Sequence, residues 1–196
     1  MFACIALLLD DEAHNSIRKM LYKVLSEGNY GIESALLPQH ISLKQSFNTL
    51  DIYEIEDYFD RFVKELYSFE LTFNKVDLIN MGSKGKESQV LWVDIEENMH
   101  LRNIHNKLNS ELMSQYSVPM SGFDGHEFHF HSTLTYGYNQ YQELEKVKNE
   151  VNLSFSKIKF NVKKAVLLYS LEDRVRAGSF ITYKILPIQG GRSTYI

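Results

Sequence analysis

The sequence of 196 residues has a single cysteine, only three prolines and no apolar stretch near the ~20 residues that cross a bilayer. One cysteine, Cys4, permits no disulfide within the chain. It indicates a reducing compartment, and we expect the protein in the cytoplasm. Residues 2–9 are apolar, but no basic segment precedes them and acidic residues follow. We therefore interpret them as a first β-strand and not as a signal peptide.

A strong excess of basic charge is also missing. The chain carries 21 Lys and Arg against 25 Asp and Glu, a net charge of −4, which argues against a protein that coats long nucleic acids. Residues 1–100 hold 9 basic and 17 acidic side chains, and residues 101–196 hold 12 and 8. An anion could therefore be attracted to a site that faces the second half. Two solvated surfaces of opposite charge explain the same distribution equally well.

The apolar residues, 44% of the chain, follow strand and helix periods in turn. An order of strand, helix, strand, helix and strand begins at residue 2 and recurs from about residue 89. Strands interleaved with helices at this spacing predict an α/β or α+β protein. We expect a single bilobal domain over 1–196, with similar halves of about 1–87 and 88–196 that can exchange strands.

Two short motifs occupy equivalent places in the two halves, HISL at 40–43 and HSTL at 131–134. Each lies on the strand that follows the first helix of its half, predicted over 36–44 and 127–136. Side chains at positions i and i+2 share one face of a strand. The polar residues expected on these faces are His40, Ser42 and Lys44 on the first strand, and His129, His131, Thr133 and Thr135 on the second.

Polar faces on strands flanked by helices imply that one surface of each sheet borders an open cleft. If the halves pack about a pseudo-twofold axis, two imidazoles flank a small volume lined by two hydroxyls. This arrangement suits in-line displacement at phosphorus, because a neutral histidine can take a proton from the attacking water or hydroxyl while a protonated one donates to the departing oxygen. Ser42 and Thr133 would donate hydrogen bonds to the non-bridging oxygens.

Paired H-x-[ST] motifs, one in each lobe and 91 positions apart, resemble those of the two-histidine (2H) phosphoesterase superfamily. That superfamily includes the 2′-5′ RNA ligase and cyclic phosphodiesterase families. HISLKQSF is similar to the first family motif with its downstream phenylalanine, here Phe47. HSTLTYG is similar to the second, in which an aromatic–glycine pair follows, here Tyr136 and Gly137. Serine stands in the first motif where threonine is commoner in the family.

The resemblance implies an α+β fold of two similar lobes around a central cleft. Each lobe would be a small, mostly antiparallel sheet with helices outside, related to the other by a pseudo-twofold axis. By motif position, His40 and His131 would be the catalytic acid/base pair, with either one as the acid. Ser42 and Thr133 would bind the phosphate.

The activity that the resemblance implies is that of a metal-independent phosphodiesterase. It would act on 2′,3′-cyclic phosphate ends of RNA or nucleotides, or on 2′-5′-linked oligonucleotides, and could extend to reversible 2′-5′ RNA ligation. The partner would be an RNA end or a small nucleotide, with no cofactor, no metal and no membrane. We expect a monomer. Further candidates for substrate contact are Lys44, His129, Thr135 and Tyr136.

Two other functions stay open on the sequence alone. His126, His129 and His131 form an H-x-x-H-x-H cluster that could belong to a metal-dependent hydrolase. Zinc usually takes three or four tetrahedral ligands, however, and no cysteine or carboxylate stands at a suitable spacing. A cleft that binds a nucleotide or an RNA end without turning it over is the other alternative.

Two polar segments outside the motifs have simpler interpretations. The loop over 82–86 contains glycines and lysines but does not match the G-x-x-x-x-G-K-[ST] phosphate loop, so we expect a hairpin turn there. Arg174 and Arg176 precede the last strand and predict a charged surface turn, with a phosphate contact as the alternative.

Overall fold

The computed structural model describes residues 1–28, 30, 32–81, 88–122, 124–138, 140–175 and 178–190. The predicted loop at 82–86 and Arg176 lie outside these ranges. The described residues form strands β1 (Phe2–Leu8), β2 (His40–Asn48), β3 (Phe69–Met81), β4 (Ser88–Ile95), β5 (His131–Tyr138), β6 (Ile158–Val162), β7 (Lys164–Ser170) and β8 (Ile181–Pro187). The helices are α1 (Asp11–Ser26), α2 (Ile52–Lys64), α3 (Met99–Tyr116) and α4 (Tyr141–Ser154).

Short polar side chains mark the starts of three helices. Asp10 accepts a hydrogen bond of 2.9 Å from the main chain of the first turn of α1. Asp51 does the same for α2 at 2.8 Å, and Asn98 for α3 at 3.0 Å. Each bond satisfies an N–H group that has no partner within the helix. Each helix then buries one apolar face against a sheet. None of the helices in the described part of the chain is long and apolar enough to cross a membrane.

The strands form two four-stranded antiparallel sheets, which confirms the expected α+β class. The first sheet has the order β2-β1-β7-β8, and the second has the order β5-β4-β3-β6. Helices α2 and α3 pack on the first sheet, and α1 and α4 pack on the second. The two motif strands, β2 and β5, are therefore the edge strands at matching places in two similarly ordered sheets.

Strands are exchanged between the two halves of the sequence. β3 comes from the first half but lies in the second sheet, between β4 and β6. β7 and β8 come from the second half and complete the first sheet. β6 ends at Val162 and β7 begins at Lys164, so the chain passes from one sheet to the other across a single residue. Each sheet therefore needs strands from both halves.

A β-bulge in β2 follows the hydroxyl residue of the first motif. Ser42 pairs with Ala6 of β1, and Lys44 pairs with Ile5, so that Leu43 is an extra residue in the ladder. A bulge interrupts the alternation of side chains between the two faces. Lys44 consequently lies on the helix side of the sheet and is only 1% exposed. The expectation that Lys44 shares the polar face and contacts substrate was wrong.

The second motif strand has the same irregularity. Thr133 pairs with Trp92 of β4 and Thr135 pairs with Leu91, so that Leu134 is the extra residue. Thr135 is fully buried and lies away from the polar face, which corrects its prediction as a substrate contact. β5 also begins at His131 and not at residue 127.

Side chains from other elements satisfy the carbonyl groups of the two extra residues. His105 of α3 donates from Nδ1 to the Leu43 carbonyl at 2.8 Å, and Ser34 donates from Oγ to the Leu134 carbonyl at 2.5 Å. His105 Nε2 accepts a hydrogen bond of 2.9 Å from the main-chain N–H of Gly125, which leaves the ring hydrogen on Nδ1. These bonds stabilise both bulges, because a buried carbonyl without a partner is costly.

The buried ammonium group of Lys44 is paired with the carboxylate of Asp124, which is also buried. Lys44 Nζ donates in addition to the Pro119 carbonyl at 3.1 Å, and the Asp124 carboxylate accepts from the main-chain N–H of Ser121 at 2.7 Å. This ion pair attaches the loop that precedes the second motif to the strand that carries the first.

The Lys44–Asp124 pair gives a testable prediction for stability. Removing one partner leaves an uncompensated buried charge, so Lys44→Met should lower the free energy of unfolding by about 3–5 kcal/mol in urea denaturation. Lys75→Met is the matched control. Its pair with Asp77 is largely exposed (52% and 32% for the two side chains), and it should cost less than about 1 kcal/mol. Equal losses in the two variants would contradict the structural role of Lys44.

Candidate active site

The two motif histidines lie at the starts of neighbouring edge strands. His40 begins β2 and His131 begins β5, and Cα atoms of these strands approach within 8 Å. A buried hydrogen bond of 2.8 Å joins Ser132 Oγ to Gln39 Oε1. It links the residue before one histidine to the residue after the other, so it holds the starts of the two motifs next to each other.

Both imidazoles make the same local hydrogen bond. His40 Nδ1 lies 2.9 Å from the carbonyl oxygen of Pro38, and His131 Nδ1 lies 2.8 Å from that of His129. A carbonyl only accepts, so each ring carries its hydrogen on Nδ1 when neutral. Nε2 is then the nitrogen with the free lone pair in both rings. Each histidine is thus oriented to accept a proton through the same atom.

The surroundings lower the pKa of both histidines. Burial is the largest cause for His131, and the charges of His129 and His40 add to it, so that its pKa falls to about 4. Burial also lowers the pKa of His40, against a smaller opposite effect of the Pro38 hydrogen bond. Both rings are therefore neutral near pH 7 in the free protein. A bound phosphate would favour protonation of one of them, because an opposite charge stabilises the imidazolium form.

The hydroxyl residues Ser42 and Thr133 lie two positions after the histidines, ahead of the bulges. Ser42 Oγ is 3.7 Å from the thiol sulfur of Cys4, and the hydroxyl of Thr133 is hydrogen-bonded to the side chain of Tyr136. Burial raises the pKa of Tyr136, which stays a neutral phenol. The bulge returns Tyr136 to the face of Thr133. Burial also raises the pKa of Cys4 to about 11, so its thiol stays protonated.

Two residues of β4 that we did not predict complete the surroundings of His131. Trp92 and Asp94 are two positions apart and share one face of β4. Trp92 pairs with Thr133 of β5, and Asp94 pairs with His131. The indole stacks on the His131 ring with centroids 4.4 Å apart and 24° between planes. The alternation in QVLWVDI carries this signal, because it puts an aromatic ring and a carboxylate on one strand face.

His129 is held against the same two residues. Its Nε2 is in ion-pair contact with the Asp94 carboxylate, and its ring lies 5.1 Å from that of Trp92. Asp94 raises the pKa of His129, mainly through their hydrogen bond and against a smaller effect of burial. The side chain of His129 is 54% exposed. It is therefore accessible to a molecule bound beside His131.

The H-x-x-H-x-H cluster is spread out in the structure. The side chain of His126 is 97% exposed and contacts Glu127, whereas His129 is paired with Asp94 and His131 lies over Trp92. Within the described ranges, no three His, Cys, Asp or Glu side chains come close enough to hold a metal ion. Arg174 lies at the surface, as expected for a charged turn.

The first sheet has a buried apolar face on the side that carries Ser42. The face of β1 and β7 opposite the helices carries a compact buried cluster, which Leu37 and Phe180 pack against. The members of this cluster are Cys4, Ala6, Leu8, Val166 and Leu168. The polar face of the second sheet, with Trp92 and Asp94, has no counterpart there. The two motifs are alike, but the sheet faces beside them differ.

Comparison with known proteins identifies the family. The sequence profile of the 2′-5′ RNA ligase superfamily matches residues 9–174. The chain belongs to the 2′-5′ RNA ligase superfamily. No curated protein sequence matches it. Among solved structures, TT0787 of Thermus thermophilus is similar, with a TM-score of 0.59 and 14% identity over 97% of this chain and 99% of that one.

Two further structures share the fold. Escherichia coli LigT complexed with 3′-AMP has a TM-score of 0.57 and 16% identity over 95% of this chain and 97% of LigT. Usb1 of Kluyveromyces marxianus has a TM-score of 0.52 and 17% identity over 92% of this chain and 96% of Usb1. In this 2′-5′ RNA ligase superfamily member, as in these relatives, the fold thus extends over almost the whole chain.

The histidines give this superfamily member a predictable dependence of stability on pH. The pKa values of His40, His105 and His131 are lowered in the folded state. Below about pH 6.5, the unfolded chain therefore binds more protons at these residues than the folded protein does. The free energy of unfolding should therefore fall between pH 6.5 and about 4. His129 acts in the opposite direction, because its pKa is raised.

His131→Asn should make this decline shallower in urea denaturation series between pH 7.5 and 5, because it removes one of the titrating groups. His126→Asn, which changes an exposed ring in the preceding loop, is the control and should leave the slope unchanged. An unaltered slope in His131→Asn would show that His131 titrates normally.

Proposed function

We propose that the protein is a metal-independent phosphodiesterase that uses His40 and His131 as a general acid/base pair. Its substrates would be 2′,3′-cyclic phosphate ends of RNA or of nucleotides, or 2′-5′-linked oligonucleotides. The observation that carries the proposal is the matched pair of hydrogen bonds from Nδ1 to a carbonyl two residues earlier. They direct the same ring atom, Nε2, of both histidines to proton transfer.

The reaction follows from two rings on either side of one phosphorus. For a cyclic phosphate, the neutral histidine takes a proton from water as the water oxygen forms a new P–O bond. The bond from phosphorus to one ribose oxygen breaks, and the protonated histidine donates its proton to that oxygen. The product is a phosphomonoester with a free neighbouring hydroxyl. The same steps with a ribose hydroxyl in place of water would join two RNA ends, and reversal of that reaction would cleave the linkage and restore the cyclic phosphate.

The hydroxyl groups of Ser42 and Thr133 would stabilise the charge that builds on the non-bridging oxygens. They share a strand face with the histidines and lie two residues along each strand, so they can approach a phosphate held between the rings. Hydrogen-bond donors fixed in advance at such a position cost no reorganisation during the reaction. Tyr136 adds a third hydroxyl beside Thr133.

Several features support a nucleotide as the substrate class. The family is one of phosphoesterases, and its fold relative LigT was solved in complex with 3′-AMP. The partly exposed side chains of Leu37 and Phe180, which pack on the buried apolar cluster beside the first motif, would suit a base or ribose, while the phosphate lies against the polar motifs. The net charge of −4 favours an RNA end or a small nucleotide over a long polyanion that binds along the surface.

Loss of either histidine tests the proposal. With a 2′,3′-cyclic mononucleotide in excess chelator, His40→Asn and His131→Asn should each lower kcat by about 10²–10⁴-fold, since one proton transfer is lost. His126→Asn is the matched control and should retain full activity. Activity that disappears with chelator and returns with zinc would contradict the metal-independent mechanism. Nucleotide binding without any product across cyclic and 2′-5′-linked substrates would favour the non-catalytic module.

The phosphate-binding role has a separate test. Ser42→Ala and Thr133→Val remove one donor each, and each should lower kcat by up to about 10²–10³-fold if the donor acts mainly in the transition state. Ser42→Thr keeps the donor and should retain most of the activity. Steady-state kinetics in which the alanine variant changed only KM would assign Ser42 to ground-state binding instead.

A further inference from the structure

The bonds that orient the two histidines are alike, but the residues that supply the carbonyl groups are different. The carbonyl that holds His40 belongs to Pro38, and the pyrrolidine ring of a proline fixes its backbone angle φ. The carbonyl that holds His131 belongs to His129. His129 lies in the irregular segment before β5, and its own covalent structure imposes no such restriction.

The side chain of His129 is instead held from outside. Its Nε2 contacts the carboxylate of Asp94, and its ring packs beside the indole of Trp92 with 34° between planes. The rings of His129 and His131 are nearly parallel, with centroids 6.4 Å apart. A half-exposed imidazole would otherwise exchange between rotamers. These contacts fix the residue whose carbonyl orients His131.

Asp94 is well placed to provide this support. It pairs directly with His131 in the β4–β5 ladder, and its side chain is 9% exposed. A carboxylate is costly to bury unless a charged or hydrogen-bonding partner compensates it. In the described part of the chain, this carboxylate forms its ion pair with His129. The contact thus compensates the buried charge of Asp94 and at the same time restrains the side chain of His129.

We propose that Asp94 is a positioning residue, which acts through the side chain of His129 to hold the carbonyl that orients the His131 ring. The Asp94–His129 pair does for the second motif what the proline ring of Pro38 does for the first. The structural part of this inference stands on the contacts alone. Its effect on turnover rests on the proposed function.

The structural part is tested by ¹⁵N NMR of the histidine side chains at pH 7.5. In the native protein, His131 should show the neutral tautomer with hydrogen on Nδ1. In Asp94→Ala, the restraint is lost, and we expect a mixture in which the Nε2–H tautomer is substantial. Asp77→Ala is the matched control. It removes a carboxylate from the neighbouring strand β3, where Asp77 pairs with Trp92, and should leave the His131 tautomer unchanged.

The route through His129 has its own variants. His129→Ala should reproduce the tautomer shift of Asp94→Ala, and the double variant should be no worse than either single one, because both remove the same interaction. His129→Gln keeps a donor for Asp94 and should largely preserve the native tautomer. A shift in Asp94→Ala that His129→Ala does not reproduce would overturn the inference. An unchanged tautomer in both would overturn it as well.

The kinetic readout uses a 2′,3′-cyclic mononucleotide. Misdirection of His131 should lower kcat by roughly 10- to 100-fold in Asp94→Ala and His129→Ala, with KM within about twofold, because geometry and not binding is lost. His129→Gln should recover most of kcat. A rise in KM with kcat unchanged would make His129 a substrate contact instead. If the native protein turns over none of the cyclic-phosphate and 2′-5′-linked substrates, the proposed function fails, while the NMR result still decides the positioning role.

If Asp94→Ala does not fold, as circular dichroism would show, Asp94→Asn replaces it. Asparagine keeps the volume and an acceptor oxygen but removes the charge, so the expected tautomer shift and loss of kcat are smaller and in the same direction. No shift in Asp94→Asn together with a native tautomer in His129→Ala would overturn the proposal.

Discussion

The hydrogen bond from each histidine Nδ1 to the carbonyl two residues earlier is the interaction on which the site depends. The bond selects one tautomer and fixes the ring about its χ angles, so Nε2 alone remains for chemistry. It is local, since acceptor and donor are two residues apart. Long-range contacts bring the two rings together. These contacts are the approach of the edge strands β2 and β5 and the buried Ser132–Gln39 hydrogen bond.

The sequence predicted the local features well because they depend on spacing within one element. The two-residue period of a strand placed His40 on one face with Ser42, and His131 on one face with Thr133. Both antiparallel sheets followed from the resemblance. Alternation failed just beyond the motifs, where bulges at Leu43 and Leu134 send Lys44 and Thr135 to the buried side. A bulge depends on pairing with the neighbouring strand, which the strand's own sequence does not specify.

The same limit explains what was missed around His131. Asp94 lies 35 positions before His129, and its importance appears only when β4 pairs with β5 and sets the register. The stacking of Trp92 on His131 depends on the same register. The exchange of β3 and β7 between the sheets was anticipated only in outline, because hydrophobic periodicity reports which face a strand buries and not which strand lies beside it.

The differences between the two halves matter for the chemistry as much as their likeness. A site with two identical environments would give neither histidine a preference for donating or accepting the proton, yet general acid/base catalysis needs one ring in each state. On the ladder, His40 and Ser42 face Leu8 and Ala6, whereas their counterparts face Asp94 and Trp92. Charged groups next to His131 and apolar groups next to His40 respond differently when a phosphate enters. The architecture thus repeats the catalytic motif while its surroundings make the two copies unequal.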